Sequence, residues 1–134
     1  MKNKVMILGI DGMDPKFTKK LVKEGKLPHI QAYIERGSAR EDLAMLGGTP
    51  TITPPMWTTL ATGATPATHG ITCFWNQDCL RLDHLVYNLY SMSCKAEQLL
   101  NVTAEADIKT LIVKWPGSSE PPSTDSPKQL VVDV

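Results

Sequence analysis

Two adjacent prolines behind a threonine, Thr53-Pro54-Pro55, constrain this chain more than any other local feature. Proline is favoured at the first helical position, and threonine is a good N-cap. The amphipathic segment Pro54–Ala61 therefore reads as a helix that begins at Thr53. Met56, Trp57, Leu60 and Ala61 are its candidate core contacts, and Gly63 is its cap. Free backbone N–H groups and the positive dipole end make a helix start favourable to an anion. A hydroxyl held there could attack a phosphoryl group. The plainer reading is a threonine that only caps.

Around this helix the sequence alternates apolar runs with capped helices. Lys4–Ile10 reads as a short buried parallel strand ended by Asp11-Gly12. Asp14-Pro15 starts a helix with Phe17, Leu21 and Val22 on its apolar face, and Gly25 ends it. Leu27-Pro28 starts a second helix with Ile30, Tyr33 and Ile34 inward, closed by Gly37. Ala39–Leu46 reads as a strand, and Gly47-Gly48 as a loop. Ala64–Gly70 reads as a loop, and 71–92 as mixed extended structure. Ser93 or Cys94 through Ala106 reads as a helix with Ala96, Leu99, Leu100 and Val102 inside. Thr110–Trp115 and Leu130–Val134 are apolar runs of strand type, separated by the proline-rich loop Pro116–Pro127. This order predicts an α/β fold with a mainly parallel sheet flanked by helices. In such sheets ligands gather at the carboxyl ends of the strands, and Asp11 stands at one of them.

The 134 residues suffice for one small domain. Lys+Arg equals Asp+Glu, so neither a nucleic-acid footprint nor a polybasic membrane anchor is indicated. Val5–Ile10 is too short for a membrane span or a signal segment. Cys73, Cys79 and Cys94 are odd in number and irregularly spaced. They read as reduced structural thiols and suit a cytoplasmic protein. The oligomeric state is not written in the sequence.

Asp11 reads either as a turn residue or as an oxygen ligand for a metal ion. Threonine is a weak nucleophile that needs a base or a metal. No base stands at a suitable spacing from Thr53, so a metal is the more economical activator. His69 reads either as a ligand or, more simply, as a residue fixing its loop by a hydrogen bond. The side-chain amide of Asn76 could donate to an oxyanion.

Four segments occur in one order: Ile7–Asp14 (ILGIDGMD), Gly25–Ile30 (GKLPHI), Thr53–Gly63 (TPPMWTTLATG) and Thr65–Ile71 (TPATHGI). Together they resemble the N-terminal part of the type I phosphodiesterase/nucleotide pyrophosphatase group of the alkaline phosphatase superfamily. The resemblance covers about residues 4–76. Trp115-Pro116-Gly117 and Val131–Val134 are similar to less characterised members.

The resemblance implies hydrolysis of phosphate esters, phosphodiesters or nucleotide pyrophosphates, with two divalent metal ions, usually zinc. Asp11 matches the family's first metal-binding aspartate. Thr53 matches its nucleophile, which also binds a metal and is transiently phosphorylated. The family's phosphate-contacting Asn follows the His-Gly pair. Its spacing falls here on Phe74, and Asn76, two residues later, is the substrate-binding candidate. The other Asp and His ligands belong to the C-terminal part of the family domain, and no set for them is found here. The expectation is that residues 1–134 are the N-terminal part of an alkaline-phosphatase-like domain, inactive in isolation. Two other readings are a non-catalytic phosphate- or nucleotide-binding module and a related phosphomutase or sulfatase. Sulfatases take their nucleophile from Cys or Ser, and position 53 holds Thr.

Overall fold

A computed structural model describes residues 4–44, 49–78, 80–119 and 126–132. They form two compact units, Met1–Leu46 and Gly47–Val134.

The first unit is a helix pair preceded by an irregular apolar segment. Helix α1 (Pro15–Lys23) starts where Asp14 accepts a 2.6 Å hydrogen bond from the Phe17 amide. It ends in a Schellman motif. Gly25, at φ 71°, donates to the Val22 carbonyl, and the Lys26 amide donates to Leu21. Helix α2 (Pro28–Arg36) ends at Gly37. Both helices lie where the sequence puts them, but their apolar faces are incompletely covered. Phe17 and Tyr33 are exposed, while Leu21, Val22, Ile30 and Ile34 are half-buried. Two nine-residue helices offer each other too little surface to enclose both aromatic rings.

Two strands expected in this unit are not formed by the described residues. Lys4–Ile10 carries no ladder, and Val5 and Met6 are 86% and 89% exposed. Its composition suits a strand, but a strand is defined by the backbone it pairs with. Residues 39–44 form a turn instead of a strand. Arg40 clasps Asp42 through two 3.0 Å hydrogen bonds and holds its carboxyl well below the usual range. Leu43 takes a left-handed φ of 53°, which ends extended backbone there. The remainder of Ala39–Leu46, and the Gly47-Gly48 loop, lie outside the described residues.

The second unit contains α3 (Thr53–Thr62), α4 (Pro66–His69), β1 (Trp75–Asp78), β2 (Arg81–Tyr87), α5 (Leu99–Glu105), β3 (Thr110–Val113) and β4 (Gln129–Val132). Strands β1 and β2 form an antiparallel hairpin with Asn76 opposite Val86 and a register shift at Gln77/Asp78. Strands β3 and β4 are parallel, with Ile112 opposite Val131. The mixture of helices and small sheets is consistent with an α/β fold. Instead of one mainly parallel sheet, the described residues form these two two-stranded sheets.

The buried apolar residues Trp57, Ala61, Ile71 and Leu100 all belong to this unit. The rings of Trp57 and Trp115 meet edge to face, 4.8 Å between centroids. This joins α3 to the turn that follows β3.

Helix α5 is shorter than expected. A 3₁₀ turn at Ser91–Ser93 and extended residues precede it. The extended stretch is tied at both ends: the Lys95 amide donates to the His69 carbonyl, and the Gln98 side chain donates to Gly117. Those long-range bonds replace a helical turn. Leu99 and Val102, expected inside, are exposed, while Gln98 is buried. In Ala64–Gly70 the expected loop contains helix α4, with Thr65 before Pro66 in the same way that Thr53 precedes Pro54.

Candidate functional site

Thr53 is the first residue of α3, and extended Ile52 is its N-cap. The helix thus starts one position earlier than the cap reading implies. Thr53 is half-buried, whereas Pro54 and Pro55 are fully buried. The two prolines act as an apolar anchor that seats the helix start in the unit. Behind them the Thr58 hydroxyl donates to the Pro54 carbonyl at 2.8 Å, and Gly63 closes the helix at φ 68°.

This sequence also changes what the helix start can offer an anion. The first three helical positions are Thr53, Pro54 and Pro55, so Thr53 carries their one backbone N–H. The next amide, of Met56, donates to the Ile52 carbonyl at 3.3 Å. The expected row of free N–H donors is therefore reduced. The dipole remains, and Thr53 stands at its positive end.

Asp11 belongs to the first unit. It is exposed, in a turn with Gly12 at φ 65°, directly after the unpaired apolar segment. The strand expected before this carboxylate is not part of a sheet among the described residues.

Asn76 lies with Thr53 in the second unit, half-buried on β1. Its amide nitrogen donates to the Gly70 carbonyl at 3.2 Å, so it pins the corner after α4. Phe74 and Trp75 beside it are exposed, and Trp75 packs against Tyr87 with 4.7 Å between ring centroids.

His69, at the end of α4, is completely buried. Its Nδ1 accepts the Ile71 amide at 3.1 Å, so the neutral ring carries its proton on Nε2. Nε2 lies 3.1 Å from the Thr59 hydroxyl on α3 and donates to it. Burial pulls the imidazole below its ordinary 6.5, opposed by a hydrogen bond to the Pro55 carbonyl. The loop-fixing role read from the sequence is what the structure shows. Thr59 and Pro55 as its partners carried no sequence signal.

The second unit also buries polar atoms away from the Thr53 helix start. Among the described residues, Gln98 Oε1, Trp115 Nε1, Ser118 Oγ and Asn88 Oδ1 are buried without a hydrogen-bond partner. Each such atom costs about 1–3 kcal/mol. Gln98 was not singled out in the sequence, because an amide before an amphipathic segment looks like an ordinary surface residue. The thiols of Cys73 and Cys94 are free, and burial pushes that of Cys94 up.

The sequence model described as type I phosphodiesterase / nucleotide pyrophosphatase matches residues 5–133. The chain belongs to this family. The match spans both units and includes Asp11, Thr53 and Asn76. No curated protein and no solved structure matches the chain.

A two-metal centre, as the family resemblance implies, needs more ligands than the described residues bring together. Among them no group of three or more His, Cys, Asp or Glu side chains is placed to hold a metal ion. Asp11 and Thr53 are two ligand side chains, too few for a pair of zinc ions. The described residues alone do not make up that centre. No helix among the described residues is long and apolar enough to cross a membrane.

Proposed function

We propose that residues 1–134 form the N-terminal part of an alkaline-phosphatase-like domain that hydrolyses a phosphodiester or nucleotide pyrophosphate through Thr53. The observation that carries this reading is the seating of Thr53. Its hydroxyl sits at the dipole-positive end of a helix whose next two residues are fully buried. Such a nucleophile is held in place without an ordering cost at the moment of attack.

In the proposed step the Thr53 oxygen forms a bond to phosphorus and the bond to the leaving oxygen breaks. The hydroxyl proton passes to the departing group or to solvent. Water then releases a phosphate monoester and restores the threonine. Asp11 is the proposed metal ligand, Thr53 the second, and Asn76 the proposed substrate contact. Two divalent ions, zinc by family resemblance, would lower the barrier to threonine attack when bound. A cytoplasmic setting belongs to the same proposal, supported by the free thiols of Cys73 and Cys94.

Thr53→Ala in the complete protein should abolish hydrolysis of a chromogenic phosphodiester and its phospho-enzyme, with a loss of at least about a thousandfold. Undiminished turnover by that variant would overturn the mechanism. The isolated chain should show no zinc-dependent turnover.

A second reading is a non-catalytic phosphate-binding unit. It is favoured by the lack of a three-ligand cluster among the described residues. Calorimetry with phosphate, with and without a chelator, separates the two: this reading requires chelator-independent binding. The single backbone donor in the first three positions of α3 makes such binding weak.

A further inference from the structure

His69 is the one histidine of the second unit that is completely buried, and its bonds reach in two directions. Through Nε2 it holds Thr59, in the second turn of α3, and it interacts with the carbonyl of Pro55, two residues after Thr53. Through Nδ1 it holds the Ile71 amide, and Ile71 is itself completely buried. The corner that carries the ring is fixed from outside as well. The Lys95 amide donates to the His69 carbonyl at 2.9 Å, and the Asn76 amide donates to Gly70. The Lys95 methylenes lie so close over Gly70 that an added Cβ would meet Cδ at 3.0 Å.

A helix held only by apolar contacts can slide or rotate by small amounts, because such contacts are non-directional. A hydrogen bond from a clamped ring to the first turns of the helix removes that freedom. Small displacements at a reacting centre cost large factors in rate.

We propose that His69 is a positioning residue for Thr53. Its Nε2–H form ties the first two turns of α3 to the α4–β1 corner and so sets where the Thr53 hydroxyl lies. It acts through Thr59 and Pro55. This deepens the nucleophile reading above and rests on it only in its kinetic arm.

The structural arm uses the chain as it stands. Nitrogen NMR of the ¹⁵N-labelled imidazole should show a protonated Nε2 and an acceptor Nδ1 at neutral pH. Thr59→Val, which keeps the shape and removes the hydroxyl, should speed amide exchange at Met56 and Trp57 about tenfold, and Thr59→Ser should restore it. A proton on Nδ1, or exchange unchanged in Thr59→Val, overturns the proposal.

The kinetic arm uses the complete protein. Thr59→Val should lower kcat about tenfold or more with KM unchanged, and Thr59→Ser should recover it. An unchanged kcat, in a protein that Thr53→Ala inactivates, overturns the positioning role. If Thr53→Ala leaves hydrolysis intact, the nucleophile reading fails, and the NMR and exchange results still decide whether His69 clamps the helix.

Discussion

Lys4–Ile10 and the β3–β4 pair are built from the same kind of sequence, a short apolar run of strand formers. Their outcomes differ. Thr110–Val113 and Gln129–Val132 lie in register with their backbones joined, whereas Lys4–Ile10 has no ladder among the described residues and its apolar side chains are exposed. The surroundings explain the contrast. Strand β3 packs on α5, and the Gln129 side chain donates to the Leu100 carbonyl. The first unit has no described strand to pair with the apolar run. A run of valine, isoleucine and leucine thus reports the capacity to form a strand, and the partner decides the rest.

The largest test of this contrast lies in the core. Trp57→Ala, which removes the ring packed on Trp115, should destabilise the second unit by about 3–5 kcal/mol in chemical denaturation. Phe17→Ala, at a residue 59% exposed in the first unit, should cost less than about 1 kcal/mol. Equal losses would erase the distinction between the units.

A proline scan is the next most sensitive. The amides of Thr110 and Lys114 donate to Lys128 and Val132 of the parallel pair, and Ile112 occupies the alternating position between them. Ile112→Pro should cost more than about 2 kcal/mol, by losing a ladder bond and distorting the strand. Leu8→Pro should stay within about 0.5 kcal/mol. A large loss at Leu8 would show that the apolar run is paired in solution.

The smallest effect is in pH. His69 is held neutral, its folded value depressed below the ordinary 6.5. The unfolded chain therefore binds more protons as pH falls, and the stability contributed by the neutral ring is full above 6.5 and lost progressively below it. Thermal melts of the second unit between pH 8 and 5 should show this decline, and His69→Gln should flatten it. A wild-type stability that rises on acidification would contradict the assignment.

Local chemistry was the legible part of this fold. Asp14-Pro15, Leu27-Pro28 and Thr53-Pro54 each announce a helix start, and Gly25 and Gly63 announce ends, because caps depend on a few adjacent residues. Thr65-Pro66 carries the same signal, but four residues of helix leave no periodicity to reinforce it. Contacts between distant residues were not legible. Nothing near Gln98 announces Gly117, and nothing near His69 announces Thr59. For the candidate site, the family motifs single out Thr53 and Asp11. The tie between Asn76 and Gly70 had no counterpart in the sequence, since an amide in a loop can serve either a substrate or the backbone.

The buried Pro54-Pro55 pair has a consequence before folding starts. In the unfolded chain each proline ring already fixes its own φ, and each restricts the residue that precedes it, Thr53 and Pro54. The ensemble around the candidate nucleophile is therefore narrow from the outset, and less entropy remains to be lost when α3 docks. Where another helix must be ordered residue by residue, this one begins from a segment already stiffened by its covalent rings.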